Sequence, residues 1–167
     1  MIHIKSFIGE LKIDKFDQPD LEPIGETKKG PIYRAEHDIW SRFIGTWKVS
    51  RKKTATAYFE LFIEKGALSD GVSSPGICRA FVTVDGPNRM GGQNHDASYR
   101  SKGFSKKIEY RTFLRCDLDD KVTLGRKACD QIYRDFAKAG GSIHYKLAYN
   151  MLRMFGWMHF GKKAPGF

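Results

Sequence analysis

A chain of 167 residues is long enough for one domain with a real core and too short for two comfortable ones, so a single domain over residues 1–167 is expected. Its 41% hydrophobic and 13% aromatic content excludes the disordered class, and no stretch reaches the ~18–20 apolar residues of a membrane-spanning helix. Twenty-nine Lys and Arg against 19 acids give a net charge of +10, a balance that attracts polyanions such as nucleic acid, anionic lipid or acidic envelope polymers.

The basic residues are scattered. Their short runs, Arg51-Lys52-Lys53, Lys106-Lys107 and Lys162-Lys163, interleave no aromatic residues that would stack on bases, so weak electrostatic affinity for nucleic acid is expected rather than specific recognition. The opening residues Met1 to Lys5 lack the charged flank, apolar core and cleavage site of a secretory signal, which predicts a cytosolic location. Cys78, Cys116 and Cys129 form no C-x-x-C pair, which argues against structural zinc, and they read as small buried or half-buried residues.

In chain order, Met1 to Ile8 alternates, and Leu11, Ile13 and Phe16 continue a period near two. Gln18 to Pro31 carries Pro19, Pro23, Gly25, Gly30 and Pro31, the composition of a loop. Short extended pieces are expected at Ile32-Tyr33 and Thr46 to Ser50. The clearest strand is Thr54 to Ile63, dense in β formers. A punctuated segment, Gly66 to Gly76, leads to an apolar stretch over Ile77 to Val84, and a second loop runs from Asp85 to Gly92. Helical signals follow: Gln93 to Arg100 with Asn94 as N-cap, Leu124 to Ala139 with an apolar stripe, and Ile143 to Trp157 with Ser142 as cap. Gly140-Gly141 separates the last two, while Phe104 to Leu118 fits helix or strand. The segment Met151 to Phe160 reads as a core-packing helix, with a membrane-surface role as the alternative. Strands and turns over 1–84 and helices over 93–160 predict an α+β fold, an N-terminal antiparallel sheet followed by about three helices.

The chemistry concentrates in His95-Asp96-Ala97-Ser98-Tyr99. On a helix, His95 and Tyr99 at i and i+4 share a face and Asp96 projects about 100° round. An imidazole becomes a useful base when a carboxylate fixes its tautomer, and Asp130 on the next helix can supply one. Arg126 and Arg134 flank it at i−4 and i+4, where they can pair with an acid or a phosphate. Asp96 is then free for a cation or water. As plain structure, Asp70-Gly71 makes a turn, His95-Asp96 caps a helix, and the arginines form i,i+4 ion pairs. His37-Asp38 repeats the dipeptide but reads as surface loop, and His144 and His159 read as ordinary residues near helix ends.

The arrangement resembles the secreted phospholipase A2 site, an H-D-x-x-Y helix start facing an aspartate on an antiparallel helix. His95, Asp96, Tyr99 and Asp130 match it position by position. The resemblance implies that the histidine activates water, its neighbour ligates Ca²⁺ and the tyrosine braces the distant aspartate. The disulfide framework and the calcium loop of that family have no counterpart here. A second likeness spans most of the chain. Ser69-Asp70-Gly71-Val72-Ser73-Ser74-Pro75, His95 to Arg100 and Arg126 to Asp130 resemble a phage-associated domain of unknown function with T-D-G-x-S-x-P, H-D-x-x-Y-R and R-x-x-A-D motifs. That family ends in a helix with a small-residue and aromatic pattern similar to Ala148 through Gly156. Ser69 stands where threonine is usual and Cys129 where alanine is usual, neither at a presumed functional group. This resemblance implies a protein of a tailed phage or prophage, found in the host cytoplasm or the virion, and no settled activity.

Two function classes follow. In a hydrolase of an envelope component such as phospholipid or peptidoglycan, His95 is the base, Asp130 its orienter and Tyr99 a brace. Asp96 and Asp70 then hold Ca²⁺ or another hard cation, and Arg100 and Arg126 meet an anionic substrate. In a non-enzymatic virion, tail or host-interaction protein the same cluster is structural, and the basic surface binds DNA, an acidic partner or phage structural proteins.

Overall fold

Alternation with period two builds the centre of the molecule. The computed structural model describes residues 1–27, 30–69, 86–100, 112–119 and 121–158. Its strands are β1 (Ile2–Ile4), β2 (Lys12–Phe16), β3 (Leu21–Thr27), β4 (Gly30–Ala35), β5 (Ile39–Lys48), β6 (Thr54–Ile63), β7 (Leu68–Ser69), β8 (Thr112–Cys116) and β9 (Val122–Leu124). Its helices are α1 (Arg89–Arg100), α2 (Arg126–Ala139) and α3 (Tyr145–Phe155). Antiparallel sheets in the N-terminal part precede helices in the C-terminal part, the α+β order expected; β8 and β9 stand between α1 and α2.

The main sheet has the order β2-β5-β6-β8 and is antiparallel throughout. In β5 the inward set is Ile39, Ser41, Phe43, Gly45 and Trp47, and in β6 it is Ala57, Phe59, Leu61 and Ile63. Phe43 pairs with Phe59 in register, and their rings stack at 5.0 Å while Phe136 of α2 meets Phe43 edge-on at 5.8 Å. That contact seats α2 on the sheet, an aromatic arrangement favoured by ring quadrupoles. The inner side of α2 also carries polar groups with fixed tasks. Gln131 accepts the Phe7 amide at 2.8 Å and donates to the Phe7 carbonyl at 3.0 Å, and Asp135 accepts the Leu11 amide at 2.8 Å. The buried backbones of Phe7 and Leu11, on either side of the exposed Ile8, Gly9 and Glu10, thereby have their hydrogen bonds satisfied.

Several expectations need correction. The stretch Gln18 to Pro31 is largely a hairpin of β3 on β4, not a loop. Pro23 sits in β3, the edge of the β3-β4-β7 sheet, where the missing N–H costs no ladder bond; a register shift lies between Pro23 and Gly25. The extended piece begun at Thr46 is the end of the ten-residue β5. Beside the antiparallel sheets stands a separate two-stranded parallel sheet, β1 on β9, whose partners lie too far apart in sequence for local pattern to show. Helix α1 starts at Arg89, so Asn94 is not a cap but a buried mid-helix residue whose Nδ2 donates to Ser41 Oγ at 3.1 Å. Gly91-Gly92 belongs to that helix because α1 crosses α2 closely. A Cβ on Gly91 would lie 2.7 Å from the Tyr133 carbonyl oxygen and 3.0 Å from Ala137, so packing overrides the weak helix propensity of glycine. Ser142 does not cap α3; His144 holds that position without a side-chain cap bond. The expected stretch Ile77 to Val84, Cys78 and most of Phe104 to Thr112 lie outside the described residues, while the end of that ambiguous segment is β8. No helix among the described residues is long and apolar enough to cross a membrane.

Candidate active site

Helix α1 is polar in sequence yet buried from Gly91 to Tyr99. Gln93, Asn94, His95, Asp96 and Ser98 all lie inside, so each needs a partner or a function. It runs antiparallel to α2, with Gly91 against Tyr133 and Ala137 and Tyr99 against Asp130.

Asp130 is the hub. Its side chain is 0% exposed, and that of His95 is 4% exposed. His95 Nε2 lies 3.2 Å from Asp130 Oδ1, Tyr99 donates its hydroxyl to the same oxygen, and Arg153 Nη1 donates to Oδ2 at 2.5 Å. Burial pushes the Asp130 carboxyl up, but the hydrogen bond and charge of His95, then Tyr99 and Arg153, outweigh it and hold the group below its ordinary range. Burial first, then the Asp130 charge, pushes the Tyr99 hydroxyl far up, so Tyr99 stays a proton donor to the carboxylate.

This fixes the tautomer. An ionised Asp130 can only accept, so Nε2 carries the hydrogen toward it, and once the ring has given up its second proton the lone pair stands at Nδ1. Nδ1 is buried and finds no hydrogen-bond partner among the described residues. The ring is held by Tyr99 at a centroid distance of 3.8 Å and by Tyr133 edge-on at 5.8 Å. An oriented imidazole with one nitrogen committed and one open is the geometry of a general base.

The other predicted residues divide. Arg126 donates to the carbonyls of Leu152 and Arg153 at 3.3 and 3.2 Å and lies 3.8 Å from Asp130 Oδ2, tying α2 to the end of α3. Arg134 turns away from Asp130 to Asp135 and the Gly9 carbonyl. Asp96 Oδ2 accepts the Ser69 hydroxyl at 2.5 Å, so Ser69 does touch a candidate functional group, contrary to expectation; threonine would offer the same hydroxyl. Cys129 is buried beside the hub, and burial outweighs the Ser98 hydrogen bond to push its thiol up to about 12, which leaves it no thiolate for attack. Asp70 and the Arg100 side chain lie outside the described residues. His37 is partly exposed, 3.7 Å from Asp20.

The described residues alone do not compose a cation site. Asp96 is buried and bonded to Ser69, and no three His, Cys, Asp or Glu side chains among the described residues converge.

Sequence reasoning missed Arg153 and Tyr133. Arg153 had one local signal, a basic residue in the last turn of a helix, which the helix dipole alone explains. The end of α3 also touches the site. A Cβ on Gly156 would lie 2.5 Å from the Tyr99 hydroxyl oxygen. Gly156→Ala should therefore push Tyr99 off Asp130 and cost about 1–3 kcal/mol, read as a lower urea midpoint. Gly25→Ala, with nothing within 4 Å, is the near-silent control; equal midpoints for the two would disprove the contact.

No family profile, curated protein or solved structure matches this chain.

Proposed function

We propose that the protein is a hydrolase of a tailed phage or prophage, acting on an envelope component such as phospholipid or peptidoglycan, with His95 as general base. The observation that carries this reading is the dyad itself: Nε2 on a buried carboxylate and Nδ1 buried with no partner among the described residues. Nδ1 takes a proton from water, the resulting hydroxide attacks an ester or amide carbonyl, and the protonated ring returns the proton to the leaving group. Asp130 stabilises the imidazolium that forms between these steps, while Tyr99 and Arg153 keep the carboxylate in place. The phage assignment rests on the three motif strings around Ser69, His95 and Arg126.

One observation favours a second reading. The side chains of Asp130 and His95 are 0% and 4% exposed, which suits a buried polar clamp joining α1, α2 and α3 in a non-enzymatic virion, tail or host-interaction protein. The test is release of fatty acid from phospholipid vesicles and of soluble fragments from peptidoglycan, with His95→Gln as the comparison. Turnover by the parent chain that the variant loses at unchanged melting temperature establishes the hydrolase. Turnover retained by the variant overturns it, and inactivity of the parent on both substrates moves the protein to the second reading.

A further inference from the structure

Helix α3 packs on α2 through one side only. Ala148 and Leu152 are buried against Tyr133 and Ala137, with Tyr145 alongside. On the far side, helical spacing aligns Leu147, Met151 and Met154, and Ile143 stands in the turn before the N-cap His144. Ile143 is 85% exposed, Leu147 43% and Met154 64%, and Trp157 just beyond the helix is 67% exposed. The reading of Met151 to Phe160 as a core-packing helix is therefore corrected at Met154 and Trp157, which face outward.

Four large apolar side chains in one short stretch form a surface that water does not favour. Its charge setting narrows what covers it. From residue 136 to the end at 167 the chain has no Asp or Glu and carries Lys138, Lys146, Arg153, Lys162 and Lys163. Lys138 faces Glu10 and Arg153 faces Asp130, Lys146 lies over the Tyr145 ring at 5.8 Å and is exposed on α3, and Lys162 and Lys163 follow in sequence. The whole chain adds a net +10. An apolar stripe that includes a tryptophan, in a stretch that carries cations and no acid of its own and meets only Glu10 at Lys138, is the composition of a helix lying in an anionic lipid interface.

We propose that the outer face of α3, with Trp157, docks the protein on an anionic bilayer surface. Ile143, Leu147 and Met154 enter the boundary of headgroups and acyl chains, Trp157 sits at headgroup level, and Lys146 faces the lipid phosphates. The proposal stands on α3 and its charges alone, and it holds whether or not His95 is a base.

The test is sedimentation of the full chain with vesicles of phosphatidylglycerol and phosphatidylcholine in equal parts, and with phosphatidylcholine alone. Binding is expected to the anionic vesicles, to weaken as salt rises, and to shift the emission of Trp157 to the blue. Trp157→Phe should abolish the shift, since Trp47 is buried and Trp40 is half-buried against Phe62. Leu147→Asp with Met154→Asp should lower the partition by at least about tenfold, and both positions are exposed enough for the fold to survive, as the melting temperature verifies. Absence of binding to the anionic vesicles, equal binding to both, or binding untouched by the double variant overturns the proposal. So does a concentration-dependent dimer that the double variant abolishes while lipid binding is absent, because the face then belongs to a second copy.

Discussion

Replacing Asp130 with Asn is expected to destabilise the protein by about 3–5 kcal/mol, the range seen when a buried ion pair loses one partner. For a chain of this length that is a fall in melting temperature of about 6–20 °C. The carboxylate accepts from His95, Tyr99 and Arg153 at once, and it is fully buried. A carboxamide keeps the shape but turns one acceptor into a donor, so at least one of the three donors meets another donor. The loss falls on the junction of α1, α2 and α3. It is also linked to pH. The Asp130 carboxyl titrates lower in the folded protein than its ordinary value near 3.8, so its contribution is complete above that value and disappears as pH falls through the folded one. The melting temperatures of parent and variant should therefore lie furthest apart near neutral pH and converge in acid. A gap that stays constant into acid, or no gap at neutral pH, would show that Asp130 is not an ionised hub.

What the sequence reveals of this arrangement follows from the distance over which each contact acts. Strand β6 is legible because Thr54 to Ile63 alternates within itself, and α2 because its stripe repeats along its own turns. The hairpin of β3 and β4 is hidden because Pro23 and Gly25 look like breakers; only the edge position of β3 makes them acceptable. The start of α1 is hidden for a related reason. Gly91 is poor for an isolated helix and necessary for this one, since Tyr133 and Ala137 leave no room for a Cβ. His95, Tyr99 and Asp130 are legible together because helical spacing puts the first two on one face and an acid on the next helix answers them. Arg153 is not, because its partner lies 23 residues earlier on another helix, and a lone arginine near a helix end has an adequate local explanation. The parallel pairing of β1 with β9 joins Ile2 to Val122 and leaves no trace in either segment.

His95→Gln should lower turnover by about 10²–10⁴-fold, the usual contribution of a positioned general base, while the melting temperature moves by no more than a few degrees. Glutamine is chosen for where its atoms fall. Its amide nitrogen occupies much the same place as Nε2 and can still donate to Asp130, so the carboxylate keeps its partner. It offers no basic lone pair where Nδ1 stands, so the proton-accepting step is lost. Alanine would confound these effects, since removing the ring leaves a hole between Tyr99 and Tyr133, whose rings pack on it, and costs stability as well. The pair His95→Gln and Asp130→Asn then separates the two roles of the cluster. The first removes the base and spares the clamp, and the second weakens the clamp and disorients the base. If Gln at position 95 leaves turnover intact, the buried dyad serves only to hold three helices together, and the unpartnered Nδ1 has no part in chemistry.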